Sequence, residues 1–207
     1  ILKLYSIFKS GNKNRAIPQS YIPTQSFFDK IASFIRLNFF IPDSRIGWNY
    51  FAFKKAKKLI EENNINCVIT SGPPHSSHLI GKKIYNKFKL KWIVDLRDPW
   101  AELFYLKNKF QFNYVKKLNL KFELDVLNSA DAILTTVGNR YKTILRDKLS
   151  NTNKIYKIYN GYDKIAYDKI EEIKPDSYNI VFTGILSKNH NYQLFLEVLS
   201  LLKDKYK

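Results

Sequence analysis

The chain has 207 residues, 45% of them hydrophobic and 15% aromatic, which is enough to bury a sizeable core and excludes a disordered chain. A single cysteine, Cys67, excludes a disulfide framework and favours a reducing compartment, and no apolar run approaches the roughly 20 residues that a membrane-spanning helix needs. The formal charge of +17 points to anionic partners, but the basic residues are scattered and there is neither an arginine-rich tail nor an RNP-like aromatic strand, so specific nucleic-acid binding is not expected.

Residues 1–25 carry Gly11, Pro18 and Pro23 among several Asn, Ser and Gln, and read mostly as loop. The chain contains no methionine and begins with isoleucine, the pattern of an excerpt from a longer protein. From Ser26, a plausible N-cap, to Phe40 the residues Phe27, Phe28, Ile31, Phe34, Ile35 and Phe39 recur at helical spacing, and Pro42 ends the helix. A second helix is expected from about Ile46 to Asn63, with Trp48, Phe51, Ala52, Ala56, Leu59 and Ile60 on its apolar side and Lys54, Lys55, Lys57 and Lys58 around the other. The pair reads either as two helices packed on a sheet or as a surface whose aromatic and basic faces rest together on an anionic membrane.

Ile65 to Thr70 is a short β-rich run in which Cys67 reads as a small core hydrophobe, followed by the sharp turn Ser71-Gly72-Pro73-Pro74 and a helix over 76–88. The stretch KWIVDLRDPWAE, Lys91 to Glu102, follows as a buried strand emptying into the polar turn Asp95-Leu96-Arg97-Asp98, with Pro99 opening a helix. A β-turn-α-β unit of this kind forces parallel strands, so both turns lie at one edge of the sheet, where open α/β sheets bind ligands. Residues 103–128 read as a helix apolar on two sides, Ala130–Val137 as a third strand, Gly138–Leu149 as a helix and Ile155–Tyr159 as a fourth strand. After a polar stretch containing Pro175, Tyr178–Phe182 reads as a strand, Thr183-Gly184 as a turn and Asn191–Leu202 as a final helix. Alternating strands and helices predict an α/β fold, a Rossmann-like doubly wound parallel sheet over residues 1–160. A connector over 161–177 leads to the first strand and helix of an incomplete second domain, 178–207, since one such pair cannot bury a core alone.

The blocks SGPPHSSHLIG, WIVDLRDPW, the helix carrying Glu123 before VLNSADAILTTV, IYNGYD and FTGILSKNHN occur in the order and spacing that resembles the retaining GT-B glycosyltransferases, a large family that includes many bacterial cell-surface polysaccharide enzymes. The resemblance covers roughly residues 45–200. It implies two Rossmann-like domains facing across a cleft, the first holding the acceptor and the second a nucleotide-sugar donor. It also implies metal-independent, retaining transfer, with no cofactor, to a cell-envelope polysaccharide or lipid-linked acceptor, in the cytoplasm and peripherally at the inner face of the plasma membrane. The family's first strand with its glycine-rich loop has no counterpart in residues 1–25, and its pair of glutamates with seven residues between them has none among the glutamates here, which is the pattern of a fragment or a truncated product.

Within that frame Arg97 and Asp98 are the candidate catalytic residues, although Asp98 also suits the N-cap of a helix begun by Pro99 and Arg97 can pair with Asp95. Gly72, His75, Ser76, Asp95 and Glu123 are candidates for acceptor contacts, the first three beside the free N–H groups of a helix N-terminus. With only three histidines in the chain, a metal site at His75 and His78 is not expected. Asn160, Gly161 and Asp163 read as a turn and hinge. Thr183, Gly184 and Lys188 match the loop facing the donor phosphates, where Ile185 replaces the arginine of many relatives. A non-catalytic sugar-binding α/β module is the alternative from a different class.

Overall fold

The computed structural model describes residues 27–101, 109–136, 138–168, 179–184 and 191–205, apart from the side chains of 140 and 203–205. Ser26, Glu102, Pro175 and Lys188 lie outside the described residues, as do residues 1–25. The chain divides into two compact units, Ile1–Gly161 and Tyr162–Lys207.

In the first unit helix α1 spans Phe27–Phe39, and a 3-10 turn at Ile46–Trp48 leads into α2, Asn49–Glu62. Then come strand β1 (Cys67–Gly72), α3 (Ser76–Phe88), β2 (Lys91–Leu96), α4 (Asn113–Ser129), β3 (Ala132–Thr135), α5 (Asn139–Asp147) and β4 (Ile155–Lys157). The four strands form one parallel sheet in the order β1-β2-β3-β4. Because every crossover steps in the same direction, right-handed connections put the intervening helices on one face. The reversal of strand order that a doubly wound sheet requires is absent among the described strands, so the architecture observed is an α/β unit with a four-stranded parallel sheet.

Burial follows that geometry. In β2, Trp92, Val94 and Leu96 point under the helices and are buried, as are Ile133 and Thr135 in β3 and Ile155 in β4. They pack with Val126, Leu127 and Ala130 from α4 and its end, and with Tyr141, Leu145 and Leu149 from α5 and its end. Each such side chain removed from water is worth about 1.5–3 kcal/mol, so this layer carries the fold. Residues of the other parity, including Cys67, Ile69, Ile93, Leu134 and Tyr156, remain exposed or half-buried, Ile69 at 64%. Cys67 therefore does not sit in the core; β1 turns it to the open face.

α3 meets the sheet through a close approach at Gly81, where a Cβ would stand 2.4 Å from Trp92 Nε1. Trp92 Nε1 donates to Thr70 Oγ1 at 2.9 Å, and Thr70 Oγ1 lies 2.9 Å from His78 Nδ1, joining β2, β1 and α3 through one buried polar chain. Thr70 Oγ1, with one proton and two lone pairs, serves both partners at once, accepting from the indole while sharing a hydrogen bond with the His78 ring.

Several boundaries differ from expectation. No helix starts at Pro99 within residues 99–101, and the described part of the next helix opens at Asn113. In the second unit no strand forms over 179–182, and its helices among the described residues are α6 (Lys164–Tyr167) and α7 (Tyr192–Lys205). A strand exists only through a ladder, and none of the described strands pairs with this segment. Ile180, Val181 and Phe182 are exposed, as are Leu194, Phe195 and Leu196 on α7, so the described part of this unit has no buried core of its own. Among the described residues no helix is long and apolar enough to cross a membrane.

Candidate functional site

The parallel register sets Ser71 beside Asp95 and Gly72 beside Leu96, so the turns leaving β1 and β2 emerge side by side at the carboxyl edge of the sheet. Four hydrogen bonds tie this edge together. Ser71 Oγ donates to Asp95 Oδ2 at 2.6 Å, and the Arg97 N–H donates to the Gly72 carbonyl at 3.0 Å. Arg97 Nη2 donates to the Pro73 carbonyl at 2.6 Å, and Thr136 Oγ1, just past β3, donates to the Arg97 carbonyl at 3.4 Å.

Beside these turns lies a crevice of about 270 Å³ lined by Asp95, Arg97, Leu134, Thr136, Ile158, Tyr159, Asn160 and Gly161. Its walls come from the ends of β2, β3 and β4, the place where the C-terminal edge of an open α/β sheet gathers ligands. Leu134 and Ile158 contribute apolar lining, while Asp95, Arg97, Thr136 and Asn160 supply a carboxylate, a guanidinium, a hydroxyl and an amide. Tyr159, 73% exposed with Lys157 Nζ 4.5 Å from its ring centroid, adds a flat apolar face to the rim. A lining of apolar residues with a few polar groups among them is the usual make-up of a small-molecule site.

The remaining candidates fall elsewhere. Asp98 is exposed and lies outside the crevice lining, and with no helix beginning at Pro99 it has no cap to form within the described residues. Gly72 closes β1 against two imidazoles: a Cβ there would stand 2.5 Å from His78 Nε2 and 3.0 Å from His75 Nδ1. His75 is buried and stacked on Trp100, with ring centroids 4.8 Å apart and planes 10° from parallel. Burial lowers the His75 pKa to about 4, outweighing the Asp43 and Asp98 carboxylates that pull it upward, and burial lowers that of His78 to about 3 with His75 adding to the effect. Both rings are therefore neutral near pH 7.

Ser76 is buried too, and its polar groups are already engaged: its N–H donates to Asp43 Oδ2 at 2.7 Å and its hydroxyl to Asp43 Oδ1 at 2.9 Å. Asp43, 33 positions upstream, thus places a carboxylate on the positive end of α3, where the sequence suggested N–H groups free for acceptor contacts. Glu123 is fully buried on α4 and pairs at 2.9 Å with Lys148 at the end of α5, so it joins two helices away from the crevice. Thr183 and Gly184 are exposed residues of the second unit.

The crevice thus contains two of the residues expected from sequence, Asp95 and Arg97, with Gly72 adjacent to them. It also contains Thr136, Tyr159 and Asn160, which motif reading did not select for chemistry. The signal available for them was position: each falls within three residues of the end of a strand on the edge where ligands bind. No group of three or more His, Cys, Asp or Glu side chains able to hold a metal gathers among the described residues. Compared with known proteins, the chain matches no family model, no curated protein and no solved structure.

Proposed function

We propose that this chain is the acceptor side of a metal-independent, retaining glycosyltransferase of the GT-B type, moving a sugar from a nucleotide-sugar to a cell-envelope polysaccharide or lipid-linked acceptor at the cytoplasmic membrane. The observation that carries the reading is the crevice itself, formed where the second, third and fourth of the resembling sequence blocks come to one sheet edge. A saccharide presents hydroxyls that both donate and accept, and apolar C–H faces. Asp95 accepts from such hydroxyls, the Arg97 N–H groups not held by Pro73 donate to them, and Thr136 and Asn160 do either. Tyr159 offers its ring to a sugar face. Without a metal, charge developing on the departing nucleotide is met by cationic side chains, and Arg97 is the crevice residue that supplies one; Lys188 is the corresponding cation of the donor block. Asp98 is exposed on the same turn, outside the crevice lining.

Ile185 in place of the donor-loop arginine favours a second reading, a non-catalytic sugar-binding module using the same crevice. Titration of the protein with glycan headgroups and with nucleotide-sugars, followed by nuclear magnetic resonance shifts, distinguishes the two. Under the enzyme reading both ligands bind, and Arg97→Ala weakens the glycan by about tenfold to a hundredfold through loss of charge-assisted hydrogen bonds. Glycan binding without nucleotide-sugar binding selects the module, and binding of neither removes both.

A further inference from the structure

We propose that Ser71 is a positioning residue of the crevice, holding the Asp95 carboxylate away from Arg97 so that both charges stay available to a ligand; this rests on the reading of the crevice as a saccharide site. The sheet register sets up the contact. Ser71, Asp95, Leu134 and Tyr156 are successive partners across β1, β2, β3 and β4, and such partners carry their side chains on one face. On its β3 side Asp95 therefore meets an apolar leucine, and on its β1 side a hydroxyl. Ser71 Oγ donates to Asp95 Oδ2 at 2.6 Å, the short distance of a hydrogen bond to a carboxylate.

Local spacing alone would give Asp95 a different partner. The Arg97 N–H donates to the Gly72 carbonyl as the next rung of the β1–β2 ladder, so the alternation of β2 runs on past Leu96. That puts the Arg97 side chain on the same face as Asp95, with the two Cα atoms about 7 Å apart, a span that a guanidinium covers easily. Yet among the described residues no ion pair joins the two. Asp95 is held by Ser71, and Arg97 Nη2 donates to the Pro73 carbonyl at 2.6 Å.

Both ties run to one turn, Ser71-Gly72-Pro73. It is pinned in its own right, because Ser77 Oγ in the first turn of α3 donates to the Ser71 carbonyl at 2.7 Å, and the prolines that follow fix φ. With Oδ2 taken by Ser71, Asp95 keeps Oδ1 for a ligand hydroxyl, and Arg97 keeps the N–H groups that Pro73 does not use. A carboxylate and a guanidinium closed on each other would offer far less of either. In this role Ser71 acts through Asp95 and not on the ligand.

Crystal structures of the full chain without ligand test the separation, and nuclear magnetic resonance titration with glycan headgroups tests its consequence. Ser71→Ala is expected to bring the Asp95 carboxylate to within about 4 Å of the Arg97 guanidinium, whereas Ser71→Thr, which keeps the hydroxyl, holds them apart. Ser71→Ala is expected to weaken glycan binding about tenfold, and Ser71→Thr to bring it back to within about twofold of the parent. In an Asp95→Ala background Ser71→Ala is expected to cost nothing further, as for a residue that works through Asp95. Ser71 is exposed, and unchanged circular dichroism will show that the variants fold. An Asp95 carboxylate that stays clear of Arg97 in Ser71→Ala overturns the proposal whatever the glycan result. So does unaltered affinity in Ser71→Ala, failure of Ser71→Thr to restore it, or the same loss with and without Asp95. If the parent binds no glycan, the saccharide reading fails, and the crystal structures alone decide whether Ser71 keeps the two charges apart.

Discussion

Arg97 reaches from the end of β2 to the Pro73 carbonyl, so the strongest donor in the crevice is tethered at one end and directed at the other. That tether was not readable in the sequence, because Pro73 stands 24 positions earlier and only the parallel register of β1 and β2 brings the two turns together. The same is true of Ser76: local pattern marked it as a free helix start, while Asp43 arrives from the loop after α1 to occupy it. The pair His75 and His78 shows what burial does to a residue that sequence alone leaves ambiguous. Both titrate near 6.5 in an unfolded chain, and in the folded protein burial holds them at about 4 and about 3. Between those values and 6.5 the unfolded state binds more protons, so stability is complete above pH 6.5 and is lost as pH falls below it. The urea midpoint is accordingly expected to drop from pH 7 to pH 5. His75→Phe, which keeps a ring against Trp100, is expected to make that drop shallower; an unchanged pH profile in this variant would count against buried neutral His75 as its source.

Among elements, β2 and α3 were legible to the residue, Lys91–Leu96 and Ser76–Phe88, because alternating burial writes a period of two into one and an apolar face at helical spacing into the other. Helix α1 was legible as a helix, but the exposure of Phe27, Phe28, Ile31, Ile35 and Phe39 was not, since the same apolar stripe is written whether that face is covered or open. Of the strand expected over 178–182, the described residues 179–182 are not in a strand: β-rich composition needs a neighbouring strand, and none of the described strands pairs with them. Gly81 shows how tightly the legible elements meet. Gly81→Ala drives a methyl into the Trp92 indole and the Thr70 methyl, 2.4 and 2.7 Å away, at a point where Trp92 is also held by its hydrogen bond to Thr70. The gain in helix propensity of about 1 kcal/mol is outweighed by overpacking that reaches about 3 kcal/mol, so the variant is expected to unfold at lower denaturant concentration than the parent, read by tryptophan fluorescence.

At the scale of the whole molecule, the parallel sheet of the first unit, with its described helices on one face, sets the edge at which the strand ends gather. Strand ends, register and one crevice put Asp95, Arg97, Thr136 and Asn160 within reach of one ligand. The fold class followed from the alternation of strands and helices, whereas the single direction of the strand order depends on pairings that no local pattern encodes. The measurement that bears most directly on the proposed activity is transfer of radiolabelled sugar from nucleotide-sugar donors to a cell-envelope lipid and polysaccharide extract. It should use the protein expressed from its entire reading frame, with EDTA present. Label is predicted to pass to the acceptor with retained anomeric configuration, and the rate to fall by at least about a hundredfold in Arg97→Ala. Transfer that stops on chelation, or absence of both transfer and donor binding across the panel, would contradict the account.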